Sequence, residues 1–387
     1  MASGVRTLEL ARSLLKIGVE PIVFSPYEAT RRTKDGIQIV KLPTFFSTLR
    51  VEDTFYYASR RAYYNKTLQK LIIKLSKRLY SGQIQLSSKL PKFFEKYDLD
   101  ILQAEQDNAA LSLLSVRSKL NLPIVLDLHG IWPEELLAAN AIQKDSSEWA
   151  ELQGLMGSVI NDVDLTVSLS DAMKDYVLTN YHAASDKVVV IPPGGRVLNK
   201  HFERPEPQKV AYAGIVSYRK HVDLFVRSIP HVSNKKSNVK FYITKKGDLL
   251  ESIKNLAQNL KVDLTYFWYS DFEQTLQFLS SCHLGVLPST VDTSAMISMP
   301  SKLFDYMSIG LPVVANEVGG WTNIIKDNNL GRVTQDSPKA FAAGILELLN
   351  SPEEMSNCAR RGMELVKSKY NWDISACLLA QQYERLI

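Results

Sequence analysis

The chain has 387 residues, of which 45% are hydrophobic and 22% are charged, with a formal net charge of +5. This composition is typical of folded proteins and excludes disordered, collagen-like and coiled-coil chains. Three cysteines (Cys282, Cys358 and Cys377) are too few for a disulfide framework, and their spacing matches no zinc ligand set. No apolar run reaches the roughly 20 residues that span a bilayer. We therefore expect a cytoplasmic protein without a transmembrane helix.

The first half of the chain alternates helical and strand patterns. Apolar residues at helical spacing predict a helix from Ser3 to Leu15 with Gly18 as its stop, and Pro21 to Phe24 is typical of a buried strand. A further helix is predicted over 111–120. Further strands are predicted at 37–40, 101–102, 124–126, 164–167 and 188–191. This alternation predicts a parallel sheet covered by helices.

The start of the chain departs from that architecture. In a doubly wound domain a strand usually precedes the first helix and lies in the centre of the sheet. Here the chain enters the helix directly from Met1. The sequence therefore indicates that the first strand of the N-terminal domain is missing, because the start site is placed too late or the chain is a fragment.

A basic patch lies between residues 58 and 96, where ten Lys or Arg accompany Glu95 as the single acid. Apolar residues from Leu68 to Leu79 fall on one helical face. Lysines on another face are Lys66, Lys70, Lys74 and Lys77. This pattern suits a helix lying on an anionic membrane surface, and equally a core-facing helix with a solvated basic side. No nucleic-acid-binding module is recognisable.

The alternation restarts after the Pro-Pro-Gly-Gly segment at 192–195, where we place the domain boundary. Strands are predicted at 210–213, 239–243, 264–267, 284–287, 312–315 and 331–333. Helices are predicted at 221–231, 249–260, 272–281, 301–309 and 338–349. The sequence thus predicts an α/β protein of two doubly wound, Rossmann-like domains that face a deep cleft, since open parallel sheets bind ligands beyond the carboxyl ends of their strands.

One candidate site follows the strand that ends at Ala213. Gly214, the adjacent cations Arg219 and Lys220, and a predicted helix come in that order. A cationic loop leading into a helix N-terminus suits a phosphate, because free N–H groups and the helix dipole both favour an anion. The alternative is a pair of solvated surface cations.

A second candidate is the segment from Met299 to Ala315. Ser301 is expected to cap a helix, and Asp305 lies one turn further along on the same face. A carboxylate there can accept two hydrogen bonds from a ribose diol. The alternative is an ordinary capped helix that stops at Gly310 and leads into a buried strand.

A third candidate is His129, which ends the buried strand 124–128 beside Gly130. It is either a catalyst at the edge of the sheet or a satisfied structural histidine. The sequence holds no His-Glu-x-x-His, Gly-x-Ser-x-Gly, P-loop or Gly-x-Gly-x-x-Gly motif. Its Asp-x-Asp pairs lie at predicted strands, so we expect no metal.

Taken in order, these segments resemble the retaining sugar-nucleotide glycosyltransferases of the GT-B fold, glycosyltransferase family 4. The likeness covers nearly the whole chain. In that family a Gly-Arg-Leu-x-x-x-Lys-Gly loop holds the donor diphosphate, and here Lys220 matches the Lys while Ile215 and His221 replace the Arg and the second Gly. The family's Glu-x7-Glu motif maps onto Ile297 and Asp305. The Pro-Ser-Lys-Leu segment resembles branches of the family that act on lipid-linked sugars.

The resemblance implies a metal-independent, retaining hexosyltransferase without a cofactor. It implies a nucleotide-sugar donor, a glycan or lipid-linked acceptor, and a position in the cytoplasm or peripherally on the inner face of the cell membrane. His129 and Lys220 would be catalytic. The implied donor-binding residues are Gly4, Gly214, Arg219, Lys220, Met299, Ser301 and Asp305.

The resemblance also implies three parts of the chain. These are an acceptor-binding domain (1–196), a nucleotide-sugar-binding domain (197–369) and a last helix that returns to the first domain (370–387). A catalytically degenerate GT-B protein acting as a partner subunit is the main alternative, because Ile215 and Ile297 replace the Arg and one acid of the motifs and the first strand is missing. A GT-B epimerase or phosphorylase fits less well.

Overall fold

The computed structural model describes residues 2–25, 28–42, 89–198, 202–269 and 271–387. The chain divides by its internal contacts into two compact units. Unit 1 comprises residues 1–192 and 372–387, and unit 2 comprises residues 193–371. The lysine-rich helix expected between residues 66 and 79 lies outside the described residues.

Unit 1 begins with helices and strands in alternation. Its strands are β1 (Ile22–Ser25), β2 (Arg31–Arg32), β3 (Gln38–Lys41), β4 (Leu102–Glu105), β5 (Ile124–Leu128), β6 (Leu165–Ser168) and β7 (Val188–Val190). Its helices before unit 2 are α1 (Ala2–Lys16), α2 (Leu90–Phe94), α3 (Asp107–Leu114), α4 (Arg117–Leu120), α5 (Trp132–Ala138), α6 (Ser147–Asp162) and α7 (Asp171–Tyr181).

The strands of unit 1 form two separate sheets. One sheet has four parallel strands in the order β4-β5-β6-β7, and the other has the order β1-β3-β2 with β2 antiparallel to β3. Within the described ranges, β1 and β4 therefore each pair with one neighbour. All five residues of β5 are buried, as expected of a parallel strand covered on both faces.

The single helix predicted over 111–120 is wrong, because the chain breaks it into α3 and α4. Val116 has φ −126° and ψ 12°, which is outside the helical region. The Ser115 hydroxyl bonds to the Ser112 carbonyl at 2.8 Å, so a side chain competes for a backbone acceptor in the last turn of α3. Asn121, in the left-handed conformation with φ 50°, ends α4.

Unit 2 alternates more regularly. Its strands are β8 (Gln208–Tyr212), β9 (Val239–Thr244), β10 (Leu264–Phe267), β11 (Leu284–Leu287), β12 (Val313–Asn316) and β13 (Gly331–Thr334). Its helices are α8 (Val222–Ser233), α9 (Leu250–Asn259), α10 (Phe272–Ser280), α11 (Thr293–Ile297), α12 (Ser301–Ser308), α13 (Thr322–Asp327), α14 (Pro338–Leu349) and α15 (Pro352–Ser368).

The sheet of unit 2 has six parallel strands in the order β10-β9-β8-β11-β12-β13. The chain moves outward from β8 to β10, returns to β11 beside β8, and moves outward again to β13. Such a reversal is the topological switch point of a doubly wound sheet, and ligands bind beside it at the carboxyl ends of the strands. The predicted doubly wound α/β fold is confirmed for this unit.

The last helix, α16 (Trp372–Tyr383), belongs to unit 1. Trp372 and Leu379 share a buried cluster with Leu10 and Leu14 of α1. Polar contacts reinforce this packing, since Ser13 Oγ donates to Asp373 Oδ1 at 2.6 Å. Within the described ranges, none of the helices combines the length and the apolar character needed to cross a membrane.

Candidate functional site

Unit 2 has a small pocket at the carboxyl ends of β8 and β11, beside the switch point. Residues that line it include Gly214, Lys220, Ser289, Ser298, Pro300 and Lys302. The structure therefore brings the first two candidate segments of unit 2 together. Gly214 and Lys220 line the same pocket as Pro300, which lies between the predicted site residues Met299 and Ser301.

The loop after β8 is fixed by close backbone contacts. The Gly214 N–H donates to Thr244 Oγ1 at 2.9 Å, and the Val216 N–H donates to the Lys246 carbonyl at 2.7 Å. Gly247 has φ 144°, and a Cβ on it would lie 2.0 Å from the Val216 carbonyl oxygen. Only glycine allows this approach, so the loops after β8 and β9 touch backbone to backbone.

Arg219 and Lys220 lie in a short 3-10 turn, Tyr218–Lys220. The Arg219 carbonyl accepts the Thr290 N–H at 3.2 Å. It also accepts the hydroxyls of Ser289 and Thr290, each at 3.4 Å. The turn that carries the two predicted phosphate-binding cations is thus attached to the loop after β11.

His221 follows this turn in the left-handed conformation, with φ 42° and ψ 40°. Its Nδ1 lies 2.9 Å from Asp223 Oδ1 and its Nε2 lies 3.2 Å from Asp336 Oδ1. The hydrogen bond to Asp223 and the Asp336 carboxylate outweigh the effect of burial and raise the pKa of His221. The same histidine lowers the pKa of Asp223.

The N-terminus of α12 is the other side of the pocket. The expectation that Ser301 caps this helix is wrong: Pro300 occupies the N-cap position with φ −71° and ψ 114°, and Ser301 is the first helical residue. Pro300 suits that position because its φ is fixed and it has no N–H to satisfy. Asp305 Oδ2 lies 2.8 Å from Lys302 Nζ, so one carboxylate oxygen of the predicted ribose-binding acid already has a cationic partner.

Lys302 was missed by the sequence analysis, although its spacing of three residues from Asp305 was a usable signal. Ile297, at the position of the lost acid, ends α11 with 5% of its surface exposed. A buried isoleucine has no polar atom to offer a ligand. Compared with the family's acid, Ile297 therefore lacks the negative charge and also places a buried, apolar side chain at this position.

Three features fix the position of α12 in unit 2. The Tyr306 hydroxyl accepts the Ala213 N–H at 3.0 Å, at the end of β8. A Cβ on Gly285 of β11 would lie 2.6 Å from the Tyr306 ring, so this glycine makes room for the ring. Arg204 Nη2 donates to the carbonyls of Ile309 and Gly310 at 2.9 and 2.6 Å. Carbonyls at the end of a helix have no N–H partner within the helix.

Unit 1 holds a second polar cluster around His129, just after β5. His129 Nε2 lies 3.0 Å from Glu105 Oε2 and 3.6 Å from Asp127 Oδ2. Arg6 Nε donates to Asp127 Oδ2 at 2.8 Å, and both of these side chains are buried. Arg6 and Glu105 were missed by the sequence analysis.

The cluster fixes the charge state of His129. Burial alone lowers the pKa of His129, but the carboxylates of Asp127 and Glu105 raise it to about 9. Burial raises the pKa of Asp127, but Arg6 and His129 lower it to about 2. At neutral pH His129 is therefore an imidazolium, which donates hydrogen bonds and cannot act as a base.

Glu105, Asp127 and His129 have ligand atoms within 4.8 Å of one another, close enough to hold a metal ion. Arg6 already pairs with Asp127 in this cluster, at 2.8 Å. Glu105 is oriented from its other side, where Gln103 Nε2 donates to Glu105 Oε1 at 3.1 Å. Tyr383 of α16 in turn donates to Gln103 Oε1 at 2.6 Å.

Gly4 lies in the first turn of α1 and is exposed. Among the residues that the structure describes, none lies within 4 Å of a Cβ placed on it, so no described contact explains its predicted role. Arg219 is next in sequence to Lys220, which lines the pocket of unit 2, and Asp305 pairs with Lys302, which also lines it. Gly4 and His129 belong to unit 1.

The charge state of His129 predicts how stability depends on pH. A pKa raised in the folded state contributes stability that is complete below about 6.5 and is lost as pH rises through about 9. We expect the free energy of unfolding to fall by up to about 3 kcal/mol over that range. Guanidinium denaturation should show this loss in the wild type and much less of it in His129→Gln. His182→Gln, at the exposed end of α7, is the control, and equal slopes in all three proteins would contradict the prediction.

Comparison with known proteins places the chain. The family model described as Glycosyltransferase Family 4 matches residues 3–194, and the model described as Glycosyl transferases group 1 matches residues 196–364. The α-monoglucosyldiacylglycerol synthase of Streptococcus pneumoniae is 23% identical over 70% of this chain and 63% of its own length. The chain spans 55–63% of the length of this and two other curated relatives.

Solved structures share the fold at low sequence identity. Sucrose-phosphate synthase from Thermosynechococcus elongatus superposes with a TM-score of 0.75 at 15% identity, covering 99% of this chain and 92% of that chain. Anabaena HepE in complex with UDP and glucose gives 0.70 at 13% identity, covering 100% and 96%. The two family models together match nearly the whole chain, which therefore belongs to glycosyltransferase family 4 of the GT-B fold.

Proposed function

We propose that the chain is a retaining hexosyltransferase that moves a sugar from a nucleotide-sugar donor to a glycan or lipid-linked acceptor without a metal ion. The observation that carries this proposal is the pocket of unit 2, where Gly214 and Lys220 meet the N-terminus of α12 beside the switch point of the sheet. The family membership and the UDP and glucose bound by Anabaena HepE support it.

The donor diphosphate would lie against the turn that carries Arg219 and Lys220. Their cationic side chains and the N-terminus of α8 would stabilise the negative charge that develops on the leaving group as the glycosidic bond breaks. Because the protein supplies this charge itself, the reaction needs no metal. The other carboxylate oxygen of Asp305, Oδ1, would accept a hydrogen bond from the ribose, and the N–H groups around Pro300 would bind the sugar.

Unit 1 would bind the acceptor. Imidazolium His129 would donate a hydrogen bond to a hydroxyl of the transferred sugar, and Glu105 and Asp127 would keep it charged. Both carboxylates are engaged by cations, so neither is assigned as a nucleophile. Retention, which the family resemblance implies, would then proceed with attack and departure on the same face, and not by the two-carboxylate mechanism of hydrolases.

A thermal-shift panel of UDP, GDP, ADP, CMP and dTDP tests the donor site. We expect a nucleoside diphosphate to raise the melting temperature by mass action, to do so less in Lys220→Ala, and to act equally with EDTA present. Lys240→Ala is the matched control, because Lys240 lies near the amino end of β9 and pairs with Asp263. A shift that Lys220→Ala leaves unchanged would place the nucleotide elsewhere, and loss of the shift in EDTA would contradict metal independence.

The alternative function is a catalytically degenerate partner subunit. The buried Ile297 at the position of the lost acid favours it. Transfer of a radiolabelled sugar from a donor that matches the stabilising nucleotide decides between the two. Turnover that Lys220→Ala lowers at least tenfold, which is about 1.4 kcal/mol of transition-state stabilisation, would exclude the degenerate alternative. Nucleotide binding without turnover on any glycan or glycolipid acceptor would favour it.

We also propose a lipid-linked acceptor at an anionic membrane surface, since the name of the Streptococcus relative indicates a glycolipid product. The lysine-rich stretch would supply the attraction. Flotation with phosphatidylglycerol vesicles should lose bound protein when Lys66, Lys70, Lys74 and Lys77 are all changed to Glu. Neutral phosphatidylcholine vesicles are the control. Equal flotation of both proteins would contradict a role for this stretch.

A further inference from the structure

His221 stands where the family's donor loop has its second glycine, and it links three separate parts of unit 2. We propose that His221 is a positioning residue for the donor diphosphate: its contacts with Asp223 and Asp336 fix the turn that carries Arg219 and Lys220, and the affinity for the donor therefore depends on pH. This inference rests on the proposed function, because it concerns the same site.

The backbone explains why this position matters. His221 ends the 3-10 turn and is at the same time the N-cap residue of α8, in the left-handed conformation. Glycine adopts that conformation without cost and also leaves it without cost. A histidine in this conformation costs free energy, and it keeps the conformation only where its surroundings hold it. The contacts of the His221 side chain must therefore hold the turn in place, which a glycine could not do.

The side chain supplies this through two elements. Nδ1 contacts Asp223, in the first turn of α8, at 2.9 Å, and Nε2 contacts Asp336, after β13, at 3.2 Å. The imidazole thus joins the helix that follows the turn to a loop that lies distant in sequence. Movement of the turn would break at least one of these contacts.

The link continues behind the pocket. Asn316, at the end of β12 and fully buried, donates from Nδ2 to Asp336 Oδ1 at 3.2 Å and to the Ser289 carbonyl at 2.8 Å. Its Oδ1 accepts the Ser289 N–H at 2.9 Å. Ser289 and its neighbour hold the Arg219 carbonyl. The contacts therefore form a closed ring from His221 through Asp336, Asn316 and Ser289 back to the turn.

The ring requires a protonated imidazole. The charged groups that face His221 are Asp223 and Asp336, and Arg227 Nε lies 3.6 Å from Asp223 Oδ2. Imidazolium donates from both nitrogens, whereas neutral imidazole donates from one. The two carboxylates raise the pKa of His221. As pH rises through that pKa, one contact loses its proton and the turn loses a positive charge beside the diphosphate.

The test measures the affinity for UDP, and for GDP where UDP does not bind, by titration calorimetry across pH. His221→Asn keeps a residue that tolerates the left-handed conformation but does not titrate. We expect it and Asp336→Asn each to weaken binding about tenfold below the pKa of His221. The difference from wild type should shrink as pH rises. His182→Asn is the matched control, since His182 is also left-handed, with φ 53°, but belongs to unit 1.

Two further results decide the inference. The double variant His221→Asn/Asp336→Asn should bind no more weakly than either single variant, because both break the same ring. Independent, additive losses would overturn the proposal, as would a wild-type affinity in His221→Asn at every pH. A histidine NMR titration needs no ligand: Asp336→Asn should lower the pKa of His221. An unchanged value would overturn the ring even if no nucleotide binds. A lowered value without nucleotide binding would confirm the ring, and would refute the proposed function together with the donor role that rests on it.

Discussion

The hydrogen bond between the Tyr306 hydroxyl and the Ala213 N–H is the contact on which the pocket of unit 2 depends. It joins the helix on one side of the pocket to the strand on the other. It forms only because Gly285 leaves room for the ring against the sheet, and Arg204 holds the far end of the same helix. The position of α12 is therefore fixed by contacts in its second half and just after its last residue. Lys302 and Asp305 inherit their positions from that placement.

The two candidate sites use the same device at different depths. Each has a histidine between two carboxylates at the carboxyl ends of parallel strands. The His129 side chain is 12% exposed and faces a fully buried Asp127, whereas the His221 side chain is 26% exposed and its acids are partly open to solvent. A buried carboxylate needs fuller compensation. Asp127 accordingly has the buried Arg6 at 2.8 Å, whereas Asp223 has the exposed Arg227 at 3.6 Å.

Much of this architecture could be predicted from the sequence, because apolar runs bounded by Gly and Pro specify buried parallel strands. The loop with Gly214 and Lys220 was identified because it follows such a strand. The segment around Pro300 was identified because a predicted helix start there is followed one turn later by Asp305. The partners of the site residues could not be found. Asp336 meets His221, and Asn316 meets Asp336, only through the strand order. Tyr383 reaches Gln103 only through the return of α16. The prediction that Ser301 caps α12 failed because Pro300, one residue earlier, occupies the N-cap position.

The return of α16 also has a consequence for the order of folding. Unit 2 is one continuous stretch of chain, whereas unit 1 takes its last helix from residues that follow unit 2. Trp372, Leu379 and Tyr383 belong to the buried cluster of unit 1. On the ribosome, where domains fold as units while synthesis proceeds, unit 2 can therefore complete its core before unit 1, although unit 1 begins to emerge first. Until α16 is synthesised, the apolar face of α1 lacks the helix that packs against it.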